Sequence, residues 1–125
     1  MPVKRQVAGA ELSFSLEKEV QTVRAELAAV PARVARTLVK EGSLRVTVVG
    51  VNPGGSLRSH RADGPITIQV MDGEIEIETD GHTRPLSRGM LFALNAGITH
   101  SVRSARGGIF LLTVIGAADE HRAPR

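Results

Sequence analysis

The sequence predicts an all-β fold, an antiparallel β-barrel preceded by one amphipathic helix. Three observations predict it. Apolar residues between Leu16 and Val30 recur at helical spacing. The chain from Arg33 to Ile115 breaks into short apolar runs. Glycine, proline, asparagine or aspartate stands at most junctions between those runs. Short strands at a spacing of roughly 8–12 residues, without a longer repeat, indicate a barrel or sandwich of the jelly-roll type.

In chain order, Leu16, Val20, Val23, Leu27 and Val30 form one stripe of a helix. Ser15 is placed to cap its start, Glu17 and Glu19 oppose the positive end, and Pro31 stops it. Val34–Val39 and Leu44–Val51 read as strands around the turn Lys40-Glu41-Gly42-Ser43, followed by the loop Asn52-Pro53-Gly54-Gly55. Pro65–Val70 and Glu74–Thr79 read as two strands divided by Asp72-Gly73. In the second, Ile75 and Ile77 alternate with Glu74, Glu76 and Glu78, as in a strand buried on one face. Asp80-Gly81 is a hairpin turn signal. His82–Leu86, Met90–Leu94, Thr99–Ser104 and Ile109–Ile115 complete the strands. The expected divisions are a leader with its helix over 1–32, the barrel over 33–116 and a polar tail over 117–125.

A chain of 125 residues accommodates one core, since two of roughly 60 residues would both be marginal. With 42% apolar and 23% charged residues it is globular in composition. The lack of cysteine excludes disulfides, thiol catalysis, thiolate zinc sites and iron–sulfur clusters. It also fits a cytoplasmic protein. No apolar run reaches the roughly 18–20 residues of a membrane span, and Met1–Ala10 lacks a signal peptide's apolar stretch. Sixteen basic against thirteen acidic residues give a net charge of +3. The arginines are scattered and three phenylalanines are the only aromatic residues, so no membrane and no nucleic acid is expected as partner.

Four histidines are candidates for chemistry. His121 falls in the polar tail and His82 directly follows the hairpin turn, both solvated positions. His60 and His100 each sit in a strand beside a glycine-rich turn. The stretch from Gly55 to Ile77, with Leu57, His60, Gly64 and Met71-Asp72-Gly73-Glu74-Ile75, resembles the first motif of the cupins. Gly89 through Asn95-Ala96-Gly97 to His100 resembles their second motif. Asn95 stands in the proline place and Ser104 where an asparagine often stands. This resemblance implies a cupin-like jelly-roll barrel, in which His60 and His100 match two of the family's usual four metal ligands. Ala62 and Ile66 occupy the places of the second histidine and the glutamate, and neither side chain carries a lone pair for a metal.

Strand alternation places Ile66, Ile68, Val70, Met90, Phe92 and Leu94 inward, and Arg61 and Arg103 outward. The expected function is binding of a small, partly apolar ligand, with His60 and His100 as polar anchors and Ile66, Ile68, Met90 and Phe92 lining the site. In such a pair one imidazole would donate and the other accept. Two other readings stand beside it. Each histidine can serve only the backbone of its own turn, or the pair can hold a divalent transition metal as in an oxygenase or isomerase. The resemblance and the apolar strand Leu44–Val51, read as an edge, point to a homodimer, with the helix or Val34–Val39 at its interface.

Overall fold

Ser15 adopts an extended backbone and its hydroxyl accepts the Lys18 N–H at 3.2 Å, which starts helix α1 (Leu16–Leu27). The computed structural model describes residues 5–116; His121 and the expected tail lie outside them. The stripe continues to Val30, but the helix stops three residues earlier. There the Asn52 side-chain amide donates to the carbonyls of Leu27 at 3.0 Å and Val30 at 2.8 Å. Carbonyls at the end of the helix and in the turn after it thus gain a partner from a loop of the barrel.

Eight strands follow: β1 (Arg33–Glu41), β2 (Leu44–Val51), β3 (Ser56–His60), β4 (Ile66–Thr79), β5 (His82–Ser87), β6 (Leu91–Leu94), β7 (His100–Arg103) and β8 (Gly108–Ile115). All pair antiparallel. The first sheet runs β1-β2-β8-β4-β6 and the second β5-β4-β7-β3, joined through β4 into one curled sheet.

The structure corrects three expectations. The two strands read at Pro65–Val70 and Glu74–Thr79 are one 14-residue strand. Instead of a turn, a bulge lies here: the register against β8 gains one residue between Val70 and Asp72, and Gly73 follows with a φ of 70°. Leu44–Val51 is not an edge, because β2 lies between β1 and β8 with both backbone sides paired. Its apolar residues are explained by burial on both faces. A strand was expected at His60, but its extent back to Ser56 was not, since Ser56-Leu57-Arg58-Ser59 carries little β signal of its own.

Two apolar clusters result. The inner one joins Val49, Val51, Ile66, Ile68, Val70, Ile75, Ile77, Leu86, Val102 and Phe110 between the curled sheets. The outer one packs Val20, Val23 and Leu27 of α1 against Leu38, Val48 and Ile109. The helix stripe is therefore spent on the first sheet. Arg36 on β1 also reaches Glu19 of the helix at 2.6 Å.

Gly50 sets the depth of helix docking. A methyl group there would lie 2.6 Å from Val23 Cγ1 and 2.7 Å from Leu27 Cδ1, closer than carbon atoms pack. Gly50→Ala is expected to lift α1 and to destabilise the chain by about 1–3 kcal/mol, as overpacking does. In thermal denaturation the midpoint should fall by several degrees. An unchanged midpoint would show that the helix is not seated at this depth.

Candidate functional site

The second sheet brings His60 of β3 directly opposite His100 of β7. Leu57 opposes Val102, so three residues on β3 span two on β7, and a bulge absorbs the extra one. Opposed residues share a face of a sheet, so Leu57, His60, Val102 and His100 all face the barrel interior. The imidazole centroids are 4.4 Å apart, with the rings inclined at 55°. His100 is 3% exposed, whereas His60 is exposed.

Both rings are oriented by the same local contact. His60 Nδ1 lies 3.2 Å from the Arg58 carbonyl, and His100 Nδ1 lies 3.1 Å from the Ile98 carbonyl. A carbonyl can only accept, so each Nδ1 carries the proton and donates it. In the neutral ring Nε2 then keeps its lone pair. The expected division into one donor and one acceptor is corrected accordingly, because both donors are spent on backbone two residues upstream. The pair offers two acceptors, or two bases.

Burial holds the His100 pKa below the ordinary histidine value, the Ile98 carbonyl opposes that shift, and the neighbouring His60 adds to it.

The register of β4 extends this row across the sheet. Thr79 opposes His100 on one side and His82 on the other, giving the order His82, Thr79, His100, His60 on the inner face. Ile77 likewise opposes Val102 and Arg84. Thr79 and Arg84 are residues that sequence reasoning passed over, whereas His82, expected as a solvated hairpin residue, is exposed. The signal was available: a two-residue Asp80-Gly81 turn, with φ of 47° and 77°, fixes Thr79 opposite His82 and hence Ile77 opposite Arg84.

Between β5 and β6 lies a cleft of about 670 Å³ lined by Thr79, Thr83–Leu86 and Met90–Leu94. Thr79 connects it to the histidine row. Of the residues expected to line a site, Phe92 and Leu94 are half-buried and form the cleft wall. Met90 is 44% exposed at the rim, where its sulfur meets the Ser87 N–H at 3.4 Å. Ile66, Ile68 and Val70 are packed into the inner cluster, since a small barrel fills its interior with side chains. Arg61 is exposed, and Arg103 is outward, paired with Glu76 at 2.7 Å.

Ser104, in the asparagine place of the second motif, is buried and structural. Its hydroxyl donates to the Glu74 carbonyl at 2.5 Å and accepts the Gly107 N–H at 2.8 Å.

The donor set does not fit the metal that the two motifs suggest. Ala62 packs beside the inner cluster and Ile66 is part of it, so two of the four expected positions are apolar. Among the described residues no group of three or more His, Asp or Glu side chains is arranged to hold a metal ion. Two imidazoles fall short of the three protein donors common at catalytic sites.

The depressed pKa of His100 has a pH consequence. Between that value and the ordinary one near 6.5, the unfolded chain binds more protons than the folded one. The contribution of His100 to stability is therefore intact above about pH 6.5 and declines as the pH falls toward the folded pKa. His100→Gln should flatten this part of the stability-against-pH curve. In NMR titration the His100 ring should ionise below the ordinary value and carry its neutral-state proton on Nδ1. Titration at or above the ordinary value would contradict the buried geometry.

Residues 47–116, more than half of the chain, match the sequence model of the cupin domain. No curated protein matches the chain. A conserved Streptococcus pyogenes protein of unknown function is 27% identical, with a TM-score of 0.64 over 67% of this chain and 74% of that one. A cupin superfamily protein from Desulfitobacterium hafniense is 13% identical, with a TM-score of 0.69 over 91% and 99%. Salicylate 1,2-dioxygenase from Pseudoaminobacter salicylatoxidans, solved with gentisate, is 16% identical with a TM-score of 0.74; the match covers 90% of this chain but 35% of the enzyme. The domain pattern runs from within β2 to the end of β8, over every later strand of the curled sheet and both histidines, and the chain belongs to the cupin family.

Proposed function

We propose that this cupin domain binds a small, partly apolar molecule, with His60 and His100 as its polar anchor and the cleft between β5 and β6 as the seat of its apolar part. The observation that carries this reading is the ring pair itself. Two imidazoles lie 4.4 Å apart, each with Nδ1 spent on a backbone carbonyl, so that Nε2 is the atom each unprotonated ring keeps for accepting from a ligand. A hydroxyl or amide N–H satisfies both requirements of such a place, a donor hydrogen and little charge. The depressed His100 pKa supports the same reading, because the ring is neutral and accepting at physiological pH.

The cleft supports it further. Phe92, Leu94, Leu86 and Pro85 give an apolar wall, and Thr79 joins that wall to the histidine row. With no tryptophan or tyrosine in the chain, the wall lacks the usual stacking surface for sugars and nucleobases. A compact apolar body with one donor group matches the lining better.

The test is a thermal-shift screen of small alcohols, phenols and amides on untagged protein purified without added metal, with elemental analysis alongside. A ligand at about 100 times its Kd contributes about 2.7 kcal/mol and raises Tm by several degrees. That shift should shrink in both His60→Ala and His100→Ala, and metal content should stay well below one equivalent in all three proteins. About one metal per chain, lost in both variants, would overturn the reading in favour of a metal-dependent enzyme.

A further inference from the structure

We infer that Arg84 is the carboxylate-binding end of this site, so that the ligand is an apolar monocarboxylate carrying a donor group at its far end. The inference rests on the histidine-anchored reading and adds the opposite end of the ligand to it. Arg84 opposes Ile77, and Ile77 is fully buried in the inner cluster, so the arginine stands on the inner face of the second sheet. The acidic residues of β4 are on the other face. Glu74, Glu76 and Glu78 oppose Ser87, Pro85 and Thr83, and Glu76 is paired with Arg103.

The three ion pairs among the described residues use Arg24, Arg36 and Arg103, and none of them matches Arg84. Its neighbours along the cleft are apolar or hydroxylic. Arg84 is exposed at the mouth of the cleft, and a guanidinium there can meet a carboxylate through two parallel N–H···O bonds. One cation balances one negative charge, which favours a carboxylate over a dianionic phosphate. Arg84 and His100 are separated by β4 and offset by two residues along it, roughly 12 Å between backbones at the usual strand spacing and rise. A ligand of about one aromatic ring with a short acid arm spans that interval.

The probes are 4-hydroxyphenylacetate and 3-(4-hydroxyphenyl)propanoate, each against its primary amide, measured by calorimetry on the intact chain near neutral pH. For at least one pair the acid should bind about ten-fold more tightly than the amide. Arg84→Gln should bring that ratio to one, and Arg84→Lys should keep part of it. Melting curves of both variants confirm folding. His60→Ala should weaken acid and amide equally and leave the ratio intact.

A ratio near one in the wild type, a ratio surviving in Arg84→Gln, or no binding of any probe at millimolar concentration overturns the assignment. If both compounds bind and respond to the histidine substitutions but the ratio ignores Arg84, only this inference falls. If the ratio tracks Arg84 while the histidine substitutions change nothing, Arg84 stands as an anion site and the histidine anchor falls.

Discussion

The fold depends on β4 changing sheets without losing its inner face. Ile66, Ile68 and Val70 point inward at even positions, and Ile75, Ile77 and Thr79 at odd ones. A regular strand cannot do this, since its side chains alternate strictly. One extra residue at the bulge near Asp72-Gly73 reverses the phase. Without it, Glu74, Glu76 and Glu78 would enter the core. Glycine is required at the bend: a Cβ on Gly73 would lie 2.3 Å from the Gly107 carbonyl oxygen, at a φ that L-residues rarely adopt. Four of the other strands pair with β4, so the bend fixes both sheets at once.

The site inherits its geometry from the same strand. The C-terminal half of β4 lies between β5 and β7 and hands its register to each of them. His100 is placed through Thr79, Arg84 through Ile77, and His60 one strand further out through its bulged pairing with β7. Chemistry-bearing side chains thus occupy the end of the second sheet, while the aliphatic ones fill the middle. Ser104 secures the opposite end, where its hydroxyl links the start of that half-strand to the Gly107 turn.

How much of this is legible in the sequence depends on whether a signal is local. The helix, β2 and the Asp80-Gly81 turn follow from periodicity and turn chemistry within a few residues. The phase break between Val70 and Ile75 is also visible, but a glycine beside an aspartate reads equally well as a turn or as a bulge. Pairing across the barrel decided between them. The extent of β3 before His60 was missed for the same reason: those residues are extended because β7 holds them. The two histidines were recognisable from motif spacing. Their shared tautomer was not, because it depends on carbonyls whose direction is set by the bulge and by the Ile98 turn.

The edge position of β3 has a dynamic consequence. His100 belongs to a strand hydrogen-bonded on both sides, whereas His60 belongs to a five-residue strand held by one neighbour through an irregular register. Local opening is least costly where few backbone bonds must break. The two halves of the ring pair therefore sit on elements of unequal protection: β3 can open while β7 stays closed. A molecule held by both rings would tie the mobile half to the fixed one, and its binding would be recorded as slowed amide exchange along β3 with little change in β7.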